Sequence, residues 1–315
     1  IPVSAVTVIP GPCQATKLNS EALAQAAAAA GNLAIPLVKQ LTANVKQQDE
    51  QAARYVHWGA TSQDVIDTGL VLQLRQAFSA SEDLLETLIG ALTEQIQRHQ
   101  HSVMAGRTWM QHALPITFGL KLAGTLDTLL RWQQRLNEIK LRVLVLQFGG
   151  AAGTLASLKE QGIPVAQALA NALDLHQSDT PWHSQRDRLL EAAAWFAGMA
   201  STLGKFANDF ALLMQTEVAE VGEPIAEGRG GSSTMPHKRN PVSCAAILTA
   251  TTRIPGMMAT IYASQNQQHE RALGGWQAEW ETLPQLIMLT GGVMQTSLDL
   301  MRGMQINTAK MRTNL

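Results

Sequence analysis

The side chains best equipped for chemistry concentrate in residues 228–241, which read Gly-Arg-Gly-Gly-Ser-Ser-Thr-Met-Pro-His-Lys-Arg-Asn-Pro. The segment joins the adjacent hydroxyls of Ser232 and Ser233 to the cations Lys238 and Arg239 and the amide of Asn240, with almost no apolar content. Gly230 and Gly231 admit backbone states closed to other residues. The prolines push Met235 and Asn240 towards extended backbone. A glycine-hinged, positive, hydroxyl-bearing loop suits closure over an anion; a solvated connection between helices is the bland alternative. Two further polar segments interrupt apolar patterns. His57-Trp58-Gly59-Ala60-Thr61-Ser62-Gln63-Asp64 places hydroxyls and a carboxylate where a helix opens. Gly106-Arg107-Thr108-Trp109-Met110-Gln111 reads as a second polar turn.

These segments need rigid elements to carry them, and the apolar spacing supplies long helices. Leu189, Ala193, Phe196, Ala200, Leu203, Ala207, Phe210 and Met214 alternate three and four apart, a buried seam on a helix expected over 185–221. Other long helices are expected from Ser62 to about His101, from Pro115 to about Phe148, from Pro241 to about His269 with an interruption near Pro255-Gly256, and from Gly275 to Met301. Short helices are expected after Ser20, ending near Gly31, from Pro36 to Val45, and after Pro164; residues 1–20 read as irregular. No strand alternation of useful length appears. The expected fold is all-α, a central five-helix bundle over 57–302, with 1–56 as the remainder of an N-terminal helical domain and 303–315 as the start of a C-terminal one. The apolar seams are too long for a monomer surface, which points to a homo-oligomer.

Composition narrows the partners. The chain has 315 residues and a net charge of −1, which favours neither a nucleic-acid nor a membrane partner. Cys13 and Cys244 form neither a metal-ligand spacing nor a disulfide framework, and a reducing cytoplasm is the simplest setting. No pair of histidines has convincing metal-ligand spacing; His57 stands out because it precedes the first polar turn.

The ungapped order Gly-Ser-Ser-x-Met-Pro-x-Lys-x-Asn-Pro resembles the signature loop of the fumarase/aspartase superfamily, and the resemblance covers the chain from about residue 20 onward. It implies an all-helical homotetramer that adds or eliminates groups next to a carboxylate, with three polar regions from three subunits meeting at each active site. It implies Ser232 as general base. A serine hydroxyl is a weak base, so the field of Lys238, nearby N–H groups and Arg239 must favour its ionised form. Lys238 and Asn240 would stabilise the enolate-like dianion. Thr61, Ser62 and Thr108 would hydrogen-bond substrate carboxylates, aided by the helix end behind Ser62. His57, Arg107, Trp109, Gln111, Ser233, Met235 and Arg271 complete the expected substrate-binding set. Plainer roles stand beside these: caps for Thr61 and Ser62, a solvated cation for Lys238, a surface ion pair for Arg271. Members of the superfamily carry further N-terminal and C-terminal segments, which are expected to be missing here.

Many superfamily members have Gly-Arg-Thr-His in the second region, its His acting with a Glu five residues beyond the loop Asn. Here those positions are Trp109 and Ala245. Indole neither gives nor takes the proton that an amine leaving group needs, whereas a carboxylate departs as a stable anion. The resemblance therefore implies lactone closure on a small polycarboxylate, with no metal or organic cofactor. The alternative is a carbon–nitrogen lyase of the adenylosuccinate type. Its phosphate contacts would fall at Trp276 and Trp280, which offer one N–H each and no charge. A non-enzymatic alternative is a crystallin-like scaffold whose basic loop binds an anionic partner.

Overall fold

Capping and tertiary burial decide where the helices begin and end. A computed structural model of the chain describes residues 1–225, 230–231, 234–235 and 238–315, so Ser232 and Ser233 lie outside the described residues. In chain order the helices are α1 (Val3–Val8), α2 (Ser20–Ala30), α3 (Ala34–Lys46), α4 (Glu50–Ala53), α5 (Ser62–His99), α6 (Phe118–Val143), α7 (Gly162–Leu173), α8 (Asp187–Leu213), α9 (Val242–Ser264), α10 (Gly275–Gly303) and α11 (Thr308–Thr313). Among the described residues two antiparallel pairs accompany them: β1 (Val103–Thr108) with β2 (Gln111–Thr117), and β3 (Val221–Gly222) with β4 (Gln305–Ile306). Among the described residues no helix is long and apolar enough to cross a membrane.

The chain divides into two units. The first holds Ile1–Arg75, Leu144–Arg186 and Gln267–Ala272. Its small apolar cluster is Ala5, Val45, Ala52 and Ala53, flanked by Val8, Ile9, Tyr55 and Val56. Asn19 caps α2 by accepting from the Ala22 N–H at 3.0 Å, and Gly31 closes that helix in the left-handed region. The second unit holds Gln76–Val143, Asp187–Asn266 and Leu273–Leu315. There α8 packs against α6, α9 and α10, and the expected seam is buried from Leu189 to Phe210. Phe78 stacks on Phe196 at 5.6 Å, and Trp195 meets Phe78, Phe196 and Trp132 edge-on. Helices α5, α6, α8, α9 and α10 are the five long helices the spacing predicts, and the architecture is an all-α long-helix bundle.

Several boundaries differ from the sequence expectation. Residues 103–117 form a hairpin, and α6 starts at Phe118 rather than Pro115. Thr117 is the reason: its Oγ1 accepts from the Leu120 N–H at 3.0 Å, while Pro115 pairs with Ala105 in β2. Helix α6 ends at Val143, because Leu146 N–H and Leu144 C=O bond to His176 instead. Helix α8 stops at Leu213, where the Glu220 N–H returns to the Leu213 carbonyl and the chain turns into β3. Pro255 lies inside an uninterrupted α9, on its exposed face. Asn19 caps α2, so the helix takes in Ser20 rather than starting after it. Val3–Val8 is helical because Ala5 packs into the first unit's apolar cluster.

Candidate active site

The turn from His57 to Ser62 is set from below by a buried carboxylate. Asp64 is the third residue of α5, and its Oδ2 accepts from the Thr61 N–H at 2.9 Å, the return half of a capping box. The same carboxylate accepts from the Gly149 N–H (3.0 Å), the Gly150 N–H (2.9 Å) and His183 Nε2 (2.7 Å). One turn further along α5, Asp67 takes a bidentate pair from Arg186 at 2.6 and 2.9 Å, with both side chains buried. Gln63 Nε2 donates to Asp67 and to the His183 carbonyl, which ties the two carboxylates together. With Asp64 saturated by donors, the groups left at the helix end are the hydroxyls of Thr61 and Ser62.

Arg271 reaches those hydroxyls. Its guanidinium donates to Thr61 Oγ1 at 2.6 Å and to Ser62 Oγ at 3.1 Å. A hydroxyl that accepts from a cation presents its own hydrogen outward. Arginine and two hydroxyls thus cluster at the N-terminus of α5, a group of donors suited to an anion. His57 sits at the turn with a positive φ of 62°, and burial pushes its imidazole below the ordinary value while Asp64 pulls it partly back. His57 therefore favours the neutral form.

The second polar segment is a hairpin tip in the other unit. Thr108 pairs with Gln111, leaving Trp109 and Met110 as a two-residue turn with φ of 52° and 65°. Positive φ at both centres is the type I′ signature, which ordinarily takes Asn-Gly. Trp109 is 97% exposed. Gly106 has no side chain because a Cβ there would lie 2.6 Å from the Leu114 carbonyl oxygen. Arg107 is occupied: its terminal nitrogens donate to both oxygens of buried Glu220 at 2.7 and 2.9 Å. That pairing anchors the hairpin.

The third segment is described at its base. The Asn240 N–H donates to the Gly230 carbonyl at 2.8 Å, and Gly231 bridges Arg239. Gly230 has φ 69°, and a Cβ on it would lie 2.7 Å from the Asn240 oxygen. Lys238 and Met235 are exposed, and the Lys238 N–H bonds the Met235 carbonyl at 3.0 Å.

Trp276 and Trp280 meet edge-on at 4.8 Å, and the Trp280 indole nitrogen is buried without a hydrogen-bond partner among the described residues. Among the described residues no group of His, Cys, Asp or Glu could hold a metal ion. The sequence reading missed Asp64 as a buried anchor, together with Asp67, His183, Arg186, Glu220 and Glu223. The available signal was weak: an acid at the third helical position marks a capping box, but nothing local marks a partner 119 residues away.

The long-helix architecture is that of the fumarase/aspartase superfamily, and comparison with known proteins agrees. The chain is similar to 3-carboxy-cis,cis-muconate lactonizing enzyme from Pseudomonas putida, whose crystal structure matches with a TM-score of 0.95 and 50% identity over 100% of this chain and 70% of that one. Fumarate lyase from Mesorhizobium sp. BNC1 matches with a TM-score of 0.92 and 36% identity, covering 100% of this chain and 70% of that one. In sequence the chain is 54% identical over 315 residues to 3-carboxy-cis,cis-muconate cycloisomerase of Pseudomonas aeruginosa, covering 100% of this chain and 69% of that protein. The lyase family model matches residues 16–256, and the chain belongs to that family.

Proposed function

We propose that this chain closes 3-carboxy-cis,cis-muconate to 4-carboxymuconolactone, in the breakdown of aromatic compounds through protocatechuate. The observation that carries the reading is Arg271 set against Thr61 and Ser62, a charge-assisted seat for one carboxylate of a polyanion. Trp109, where amine-eliminating relatives keep imidazole, fits a reaction whose leaving group in the reverse direction is already a stable carboxylate. The names of relatives that are about half identical over the whole chain supply the particular substrate.

In the ring-closing direction one substrate carboxylate oxygen adds to a carbon of the conjugated diene, and the electron pair moves onto the neighbouring carbon as an enolate-like dianion. Lys238 and Asn240 stabilise that charge. Ser232 delivers the proton to carbon, and in ring opening its alkoxide removes the same proton. Thr108, Gln111, Ser233 and Met235 line the substrate, and neutral His57 closes the first turn. Arg107 acts at one remove, by holding the hairpin through Glu220. The enzyme works in the cytoplasm as a homotetramer whose protomers each supply one polar region to a shared site. The exposed Trp109, Met110 and Leu114 of the hairpin support that assembly.

The test mixes purified protein separately with 3-carboxymuconate and with adenylosuccinate under an ultraviolet monitor. Loss of the diene absorbance with the first substrate alone is the expected result. Fumarate release from the second would replace cycloisomerisation with carbon–nitrogen cleavage, and inertness towards both would favour the scaffold.

A further inference from the structure

Glu223 has no part in the chemistry just described, yet its carboxylate is buried and fully used. Oε2 accepts from the Ser243 N–H at 3.0 Å and from Ser243 Oγ at 2.7 Å, while Oε1 accepts from the Cys244 N–H at 2.9 Å. Glu223 stands directly after β3, ahead of the loop; Ser243 and Cys244 open α9, directly behind it. The position before α9 is Pro241, which makes no side-chain cap. The Ser243 and Cys244 N–H groups of α9 are therefore satisfied from across the loop, while the Val242 N–H donates to the Asn240 carbonyl at 2.9 Å. One carboxylate both caps the helix and fastens the two ends of the segment bearing Lys238 and Asn240. The charge matters as well: Glu223 neutralises the positive end of α9, so the field on a bound anion falls to Lys238.

We propose that Glu223 is a positioning residue of the cyclisation, a clasp that fixes Lys238 and Asn240 where the developing dianion forms. The proposal rests on the reading of this loop as part of the active site. A displacement on the order of 1 Å at such groups costs up to roughly a hundredfold in rate.

The experiment compares Glu223→Ala, Glu223→Gln and a control, Leu129→Ala, which empties a fully buried position on α6. Two readouts are taken: kcat and KM for loss of the diene absorbance, and the rate of tryptic cleavage after Lys238 or Arg239, identified by mass. Glu223→Ala is expected to lower kcat by at least about tenfold while KM stays within about threefold, and to speed loop cleavage by about tenfold. Glu223→Gln, which keeps one acceptor oxygen, is expected to fall between it and the parent on both readouts. The control is expected to keep the parental kcat and the parental loop cleavage despite its lower stability. A kcat for Glu223→Ala within about threefold of the parent, or loop cleavage no faster than in the control, overturns the clasp. Should Glu223→Ala not fold, Glu223→Gln decides: faster loop cleavage than the parent supports the clasp, and an equal rate overturns it. If the parent does not turn over the diene, the functional reading fails, while the cleavage comparison still decides the clasp.

Discussion

Replacing Arg186 with Met tests whether the buried ion pair beneath the Thr61–Ser62 turn is its energetic support. Asp67 and Arg186 are 0% and 2% exposed, and two short hydrogen bonds join them. The guanidinium also lies 5.0 Å over the Trp182 ring. Methionine keeps the apolar length but leaves Asp67 a buried charge without its cation, at a cost of about 3–5 kcal/mol. Gln63 still donates to Asp67 at 3.2 Å, which places the expectation at the lower end, ~3 kcal/mol. The chain has two units, so global unfolding is a poor assay, and amide hydrogen exchange in the first turns of α5 reads the loss where it occurs. Roughly 3 kcal/mol corresponds to exchange faster by about a hundredfold. The double variant Asp67→Leu/Arg186→Met removes both charges and is expected to recover most of the loss. A single-variant cost under about 1 kcal/mol, or a double variant no better than the single, would refute the reasoning.

Arg271→Ala should raise KM for the diene by roughly 10–100-fold, the worth of one charge-assisted contact; an unchanged KM would remove Arg271 from the carboxylate seat. His57 is held below its ordinary value of 6.5, so the unfolded chain takes up its proton first as pH falls. Stability is then lost from about pH 6.5 downward, and His57→Asn should flatten part of that slope in exchange measurements, His99 supplying a further part of the same sign. Gly230→Ala should lower turnover by more than tenfold, roughly, because strain at φ 69° and a 2.7 Å contact with the Asn240 oxygen must both be relieved; near-parental activity would show that this turn is not needed in its observed form.

How much of this was legible in the sequence depends on how far apart the interacting residues stand. The five long helices were readable because a three-and-four spacing is a local property, and the α8 seam from Leu189 to Phe210 is buried as that spacing requires. The polar segments were readable as well, since their residue types break the apolar pattern. The supports beneath them were not. Asp64 finds His183, and Arg107 finds Glu220, across more than a hundred positions of chain, and no periodicity encodes such a pairing. The hairpin was missed for a different reason: Pro115 reads as a helix start, and the competing cap, Thr117, lies just beyond it.

The hairpin tip carries a further consequence. A two-residue turn with both φ values positive is cheap for Asn-Gly, and it costs Trp109 and Met110 on the order of 1 kcal/mol or more each. Composition gave no hint of that geometry, because nothing in Trp-Met favours it. Such strain persists only where the surroundings over-determine the backbone. Here those surroundings are the Gly106 bulge, the Thr108–Gln111 pair and the Arg107–Glu220 anchor. A tip held this firmly, and carrying an indole almost wholly in solvent, is built to present that ring rather than to bury it.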